Sequence, residues 1–385
     1  MRICMVSPVA PPVQAANSLL PELLVHELRE RGVDASFVSH PTAGVVSAGG
    51  TLNTYVPRRG SGLLYRSRAG AVLAGARIAM GLRAALRVAD LAHLHSNGLI
   101  VEVASLLARW RTTPGIITLY GTDIWHHDPV VHRRFAEVVT GAAHRIFYSR
   151  ALLTHARSLG LAVDPSTVIH APVAEVFRAV PDEERLKIRR ELGVGPGPLL
   201  LTVKRLHEVA GYPDLLSMMP TIIAGSPQTT LWIVGEGELR AELERQVTEL
   251  QLARSVQFLG QIDNARLWQY YVAADLFVLP SRLESWGSVS IEALACGTPV
   301  VASNTAGSTE VQSFFPHDMT LYDGRNPNAL CAAVRSAMAR GAPRTGSETA
   351  RTIETRFRPS ICAAAYYEIY EQTLREAFDR RSNRY

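Results

Sequence analysis

The chain has 385 residues, 47% of them hydrophobic and 19% charged, with a formal net charge of +5. That length exceeds what one hydrophobic core usually supports, so two globular domains are expected and disorder is excluded. A mildly basic balance suits an anionic ligand such as a diphosphate and does not demand nucleic acid. The four cysteines, Cys4, Cys296, Cys331 and Cys362, are scattered without CxxC spacing, which argues against a zinc site or a disulfide framework and fits a reducing, cytoplasmic setting. No eighteen-residue apolar run is present, and Met1–Ser7 is too short for a signal peptide.

In chain order, Ile3–Val6 reads as a buried strand and Ser18–Arg31 as a helix with Leu19, Leu23, Leu24 and Leu28 on one face. Ala35–Val38 is the next strand. From Thr51 to Ala89 there are seven arginines (Arg58, Arg59, Arg66, Arg68, Arg77, Arg83 and Arg87) and no Asp or Glu. Two readings of this stretch stand side by side: solvated faces of one or two helices around Leu63–Val88, or peripheral docking on an anionic membrane. Leu91–His95, Gly115–Leu119, Arg145–Tyr148 and Val168–Ala171 are further strands. A Pro- and Gly-rich linker is expected at 173–198. Beyond it the pattern restarts, with strands Leu199–Val203, Thr230–Val234, Val256–Leu259, Leu276–Leu279 and Pro299–Ala302. Helices are expected at Pro213–Ile223, Leu239–Leu250, Val289–Cys296, Ala329–Met338 and Ile361–Phe378. Strands alternating with helices imply parallel sheets covered on both faces, so the expected class is α/β, with two doubly wound Rossmann-like domains at 1–172 and 199–359. Such sheets bind ligands at the carboxyl ends of their strands.

The chemistry concentrates in Pro280–Ala302, where a strand ends, a loop carries Glu284, and a helix begins near Ser288 with Glu292 one turn in. The free N–H groups at Gly287, Ser288 and Val289 make an anion site at that helix start. Glu284 is placed to accept from sugar hydroxyls, and Glu292 from a ribose diol. Two glutamates at a helix start also serve as capping and solubility features.

This segment resembles the E-x7-E motif of retaining glycosyltransferases with the GT-B fold, closest to glycosyltransferase family 4. Val234–Arg240 resembles the family's VGxGxxR segment, Val256–Gly260 its VxFxG strand, Ala274–Ser281 its ADxxxxPS run, and Val300–Glu310 its VVAxxxGGxxE segment. The resemblance implies two domains facing across a cleft, with the C-terminal helix at 360–379 packing back on the first. It also implies metal-independent transfer from a nucleotide-sugar, UDP-linked in the family's common case, to a hydroxyl acceptor with retention. Glu292 would then bind ribose and Glu284 the donor sugar. Arg205, in the strand-end stretch Thr202–His207, would bind the donor phosphates, and backbone around Ile262 the nucleobase. Thr118–Asp123 resembles the HGxD loop. Gly121 would let the backbone approach the donor, and Asp123 would orient an acceptor hydroxyl or the adjacent Trp125-His126-His127.

Three positions depart from the family. Its phosphate-binding lysine is Ala210 here, with His207 as a stand-in if protonated. Strand alternation turns Lys204 away from Arg205. The HGxD histidine is Tyr120, whose hydroxyl can donate to a sugar oxygen. The N-terminal glycine pair is Ala15-Ala16. These departures keep a second class open, a catalytically degenerate subunit that binds nucleotide or scaffolds a partner transferase. His126-His127-Asp128 also admits a metal reading, and His93 with His95 a ligand role on one strand face. Donor sugar and acceptor are set by pocket shape around Glu284 and Trp286 and by loops of the first domain.

Overall fold

The computed structural model describes residues 1–10, 16–39, 68–125, 133–341 and 344–382. They form two compact units, one from Met1–Ala171 with Pro359–Tyr385, the other from Pro172–Arg358. In the first unit β1 (Arg2–Val6), α1 (Ala16–Glu30), β2 (Asp34–Val38), α2 (Arg68–Val88), β3 (Leu91–His95), α3 (Leu99–Trp110), β4 (Gly115–Leu119), α4 (Thr122–Trp125), α5 (Arg133–Gly141), β5 (His144–Phe147), α6 (Arg150–Ser158) and β6 (Ser166–Val168) follow one another. The second unit contains α7 (Asp182–Glu191), β7 (Leu199–Val203), α8 (Tyr212–Gly225), β8 (Thr230–Val234), α9 (Arg240–Glu249), β9 (Val256–Gly260), α10 (Asn264–Ala273), β10 (Leu276–Leu279), α11 (Ser288–Ala295), β11 (Val300–Ser303), α12 (Ala306–Gln312), β12 (Met319–Tyr322), α13 (Pro327–Ala339) and α14 (Ser347–Arg356). Finally α15 (Pro359–Ser382) belongs to the first unit, where it packs on α1.

Each unit is a six-stranded parallel sheet, ordered β2-β1-β3-β4-β5-β6 in the first and β12-β11-β10-β7-β8-β9 in the second. The sheets are parallel because every connection is a helix long enough to cross a face, as the alternation of apolar runs and periodic segments implies. The inner strands are buried on both faces, with β3 and β7 buried at every position, while the edge strands β6 and β9 are only partly covered. In the second unit the chain runs outward from β7 towards β9 and from β10 towards β12. The switch point therefore lies between β7 and β10, where a doubly wound sheet opens a crevice at its carboxyl edge.

Three features differ from the sequence expectation. The stretch 173–198 is no extended linker. It carries α7, packed on α10 in the second unit, because Arg185 and Arg189 both reach the Asp275 carboxylate and nearby carbonyls at the end of α10. The second unit thus begins at Pro172 and not at residue 199. The edge strand β12 is not expected from the sequence; four residues of mixed polarity carry little periodicity. Several helices likewise carry no clear sequence signal, among them α3, whose β-branched opening resembles a strand.

Of the arginine-rich stretch, Arg58, Arg59 and Arg66 lie outside the described residues. Arg77, Arg83 and Arg87 stand exposed on α2, opposite the buried Ile78, Leu82 and Leu86. Among the described residues no helix is long and apolar enough to cross a membrane. The four cysteines are buried free thiols.

Candidate functional site

The second unit gathers most of the expected site at its switch point. β7 delivers Lys204 and Arg205 at its carboxyl end, and β10 delivers the loop 280–287 that leads into α11. Lys204 and Arg205 diverge, as strand alternation requires. The Lys204 ammonium donates to Ser281 Oγ at 2.8 Å, the Leu283 carbonyl at 3.2 Å and Glu284 Oε2 at 2.8 Å. The other Glu284 oxygen accepts from the Ser285 amide at 3.1 Å. Arg205 stands out from the strand end, its side chain 74% exposed, with a 3.5 Å contact to Glu238. His207 meets the same Glu238 at 3.2 Å, and its Nδ1 accepts from the Val209 amide to cap the short turn at Glu208–Ala210. Arg205 and His207 thus meet the same carboxylate and face solvent at the strand end.

Close backbone packing shapes the loop. Gly211 has φ +73°, and an added Cβ would sit 1.9 Å from the Pro280 carbonyl oxygen. Gly307, at the start of α12, donates to the Glu284 carbonyl at 3.2 Å; a Cβ there would lie 2.6 Å from that same oxygen. Because backbone cannot yield as a flexible side chain does, Gly307→Ala is expected to displace the 284–287 loop and destabilise the fold by about 1–3 kcal/mol. A thermal melt together with nucleotide-sugar calorimetry checks this; an unchanged melt and affinity would show that the loop has slack.

The α11 start presents the Ser288 and Val289 amides, since Gly287 is the N-cap and the Ser290 amide is already bonded to its carbonyl. Glu292 lies half-buried in the next turn. Its Oε2 accepts from the Tyr271 hydroxyl at 2.9 Å, and burial raises its carboxyl to about 7 against the opposing effect of that bond. Ile262 is half-buried just past β9, at the same edge of the sheet. Trp286 does not line a sugar pocket. It is 2% exposed, with its ring against Phe314 and Phe357 inside the unit. Ala210 is likewise buried, at 1% exposure, among the core residues of α8 and β7. A half-open polar cavity of about 910 Å³ adjoins the loop through Ser281 and Arg282, but neither Glu284 nor Glu292 lines it, and Arg282 is held by Asp214 at 3.0 Å.

The first unit brings Tyr120, Gly121 and Asp123 together at the end of β4. The Asp123 carboxylate, 2% exposed, accepts from the Gly121 amide at 2.7 Å and the Tyr120 amide at 3.1 Å. Burial raises its pKa while these donors hold it down, so in this arrangement Asp123 orders the loop. The Tyr120 hydroxyl, expected to meet a sugar, shares a hydrogen bond of 2.7 Å with His95 Nδ1. His93 and His95 occupy one face, as alternation requires, with ring centroids 3.9 Å apart. His93 bridges the Tyr370 hydroxyl and Thr118, both at 2.8 Å. Burial keeps both imidazoles neutral, His95 falling to about 3. Tyr366 and Tyr370 of α15 are fully buried against this cluster. Nothing local in the sequence connects Tyr120 to His95, because the two are joined only by strand pairing. His126-His127-Asp128 and Ala15 lie outside the described residues, while Ala16 opens α1. Among the described residues no three His, Cys, Asp or Glu side chains are grouped to hold a metal.

Residues 184–352, less than half of the chain, match the family described as Glycosyl transferases group 1. A glycogen synthase of Mycobacterium tuberculosis is 31% identical over 65% of this chain and 60% of its own length. A GDP-mannose-dependent alpha-(1-6)-phosphatidylinositol monomannoside mannosyltransferase of Mycolicibacterium smegmatis is 28% identical over 58% of this chain and 60% of its own. The chain therefore spans about three fifths of these relatives. Among solved structures, a sucrose-phosphate synthase from Thermosynechococcus elongatus aligns with TM-score 0.77 at 22% identity, covering 97% of this chain and 98% of its own. HepE of Anabaena, solved with UDP, aligns with TM-score 0.76 at 21% identity, covering 97% and 100%. The fold is that of the GT-B glycosyltransferases.

Proposed function

We propose that the chain is a retaining glycosyltransferase that moves a sugar from a UDP-linked donor to an acceptor hydroxyl without a metal ion. The observation that carries this reading is the bridge from Lys204 to Glu284 across the β7/β10 switch point, beside the open start of α11. Relatives matched along three fifths of their length are named as a glycogen synthase and a GDP-mannose-dependent mannosyltransferase, and HepE was solved with UDP on a GT-B fold.

In this mechanism Arg205, released from Glu238, and the Ser288 and Val289 amides stabilise the departing diphosphate. Glu292 accepts from the ribose diol, the backbone at Ile262 faces the base, and Glu284 accepts from donor-sugar hydroxyls. Front-side attack lets the leaving phosphate oxygen take the acceptor's proton, so the protein supplies position and charge in place of the carboxylate pair a hydrolase needs. A degenerate subunit that only binds nucleotide is the second reading, favoured by the buried Ala210, from which no cation can extend.

The test is a thermal-shift screen against UDP, GDP, ADP, dTDP and their sugars, with and without EDTA, since a ligand of the native state raises the melting temperature. A shift with one nucleotide and a larger one with its sugar, both insensitive to EDTA, is the expected result. No shift with any of them would end the nucleotide-sugar reading. Nucleotide binding without turnover of any sugar conjugate would favour the degenerate subunit.

A further inference from the structure

We propose that Lys204 is the positioning residue of the donor-sugar site, holding Glu284 in the orientation that receives the sugar hydroxyls. This rests on the nucleotide-sugar reading above and goes beyond it, since the resemblance to known transferases assigns this position no role. An ammonium has three N–H donors, and all three are occupied: one on Ser281 Oγ, one on the Leu283 carbonyl and one on Glu284 Oε2. Every acceptor belongs to the same loop. The side chains of the pair are largely enclosed, 20% exposed for Lys204 and 16% for Glu284.

The base of the clamp is equally constrained. The Lys204 amide donates to the Val234 carbonyl at 3.1 Å, and its own carbonyl accepts from the Tyr212 hydroxyl at 2.9 Å. Ser281 is fully buried, and its carbonyl accepts from the Ser303 hydroxyl. A rigid strand end thus fixes a rigid ammonium, which fixes one carboxylate oxygen; the Ser285 amide fixes the other. Each carboxylate oxygen keeps a second lone pair for a sugar hydroxyl.

The same three donors decide a competing role. Ala210 stands where a phosphate-binding lysine belongs, and Lys204 is the nearest lysine in sequence. With no N–H left over, Lys204 cannot serve the diphosphate without abandoning Glu284. The diphosphate then falls to Arg205 and the α11 amides, and Lys204 acts on the sugar alone, through Glu284.

Calorimetry of the full chain with UDP and with UDP-glucose, or with GDP and GDP-mannose if the wild type prefers that base, separates these roles. Lys204→Met is expected to lower affinity for the sugar conjugate by about tenfold, the scale of a hydrogen bond to a charged group. Affinity for the bare diphosphate should stay within about twofold. The double variant Lys204→Met with Glu284→Ala should match Glu284→Ala alone, because a group acting only through Glu284 has nothing further to lose. Ser281→Ala, which removes one anchor of the ammonium, should show the same selectivity with a smaller loss and guards against misfolding of the first variant. Equal weakening of bare diphosphate and conjugate would overturn the proposal in favour of a phosphate role, and full additivity with Glu284→Ala would overturn it in favour of an independent one. A wild type that binds no nucleotide would instead overturn the nucleotide-sugar reading on which it rests.

Discussion

Glu292→Gln should make the protein more stable and a poorer nucleotide binder at the same time. Burial raises the Glu292 carboxyl from 4.5 to about 7. An acid whose folded-state pKa is raised favours the fold while protonated, so wild-type stability declines as pH climbs from about 4.5 through 7 and stays low above it. At pH 8 the ionised carboxylate costs up to about 3 kcal/mol, since each tenfold change in its acid dissociation constant is worth about 1.36 kcal/mol. A glutamine keeps an acceptor for the Tyr271 hydroxyl and carries no charge. Its melting temperature should exceed the wild type's at pH 8, and the gap should narrow steadily towards pH 5. Nucleotide binding should move the opposite way. The wild type should bind more tightly as pH rises through 7 and an ionised acceptor becomes available to the ribose diol. The variant should lose about tenfold at pH 8 and lack that component of the pH profile. Melts and calorimetry at pH 5, 6, 7 and 8 check both. Unchanged affinity would remove Glu292 from the ribose role, and a melt lower than the wild type's at pH 8 would contradict the burial argument.

Arg205→Ala should lower turnover by about 10²–10³-fold, the range for deleting one group that stabilises developing charge. Arg205 is 74% exposed and loosely held by Glu238, so the unliganded fold has little to lose and the melting temperature should hardly change. The loss should fall on kcat more than on donor affinity, because charge on the leaving diphosphate grows towards the transition state. Single-turnover transfer or slow donor hydrolysis measures it. A loss confined to donor affinity would make Arg205 a ground-state ligand only.

Much of this site is legible because its parts are local in sequence. The loop-to-helix passage at 280–292 puts Glu284, the α11 amides and Glu292 within one strand exit and two helical turns, and apolar runs announce the flanking strands β10 and β11. The divergence of Lys204 from Arg205 follows from the two-residue period of a strand. The sequence reading places Trp286 at the pocket beside Glu284, although a loop tryptophan carries no local sign of its direction. Packing against Phe314 and Phe357 decides that, and both lie more than twenty residues further on. The prolines and glycines of 173–198 suggest a linker, although the ion pairs that fasten α7 come from Asp275, far along the chain.

By itself, then, the sequence determined the alternating α/β architecture, the strand ends where chemistry gathers, and the residue types that could handle a diphosphate and a sugar. Those properties follow from periodicity and short-range spacing, which each segment carries alone. Only the tertiary structure decided which partner each charged group takes. Lys204 meets Glu284 eighty positions away because β7 and β10 are hydrogen-bonded neighbours at the switch point. Tyr120 meets His95 because β3 and β4 pair in register. Glu292 acquires its raised pKa from burial beside Tyr271 on another helix. Hydrogen bonding and desolvation depend on distances in space, and parallel pairing brings together strand ends that the intervening helices keep far apart along the chain.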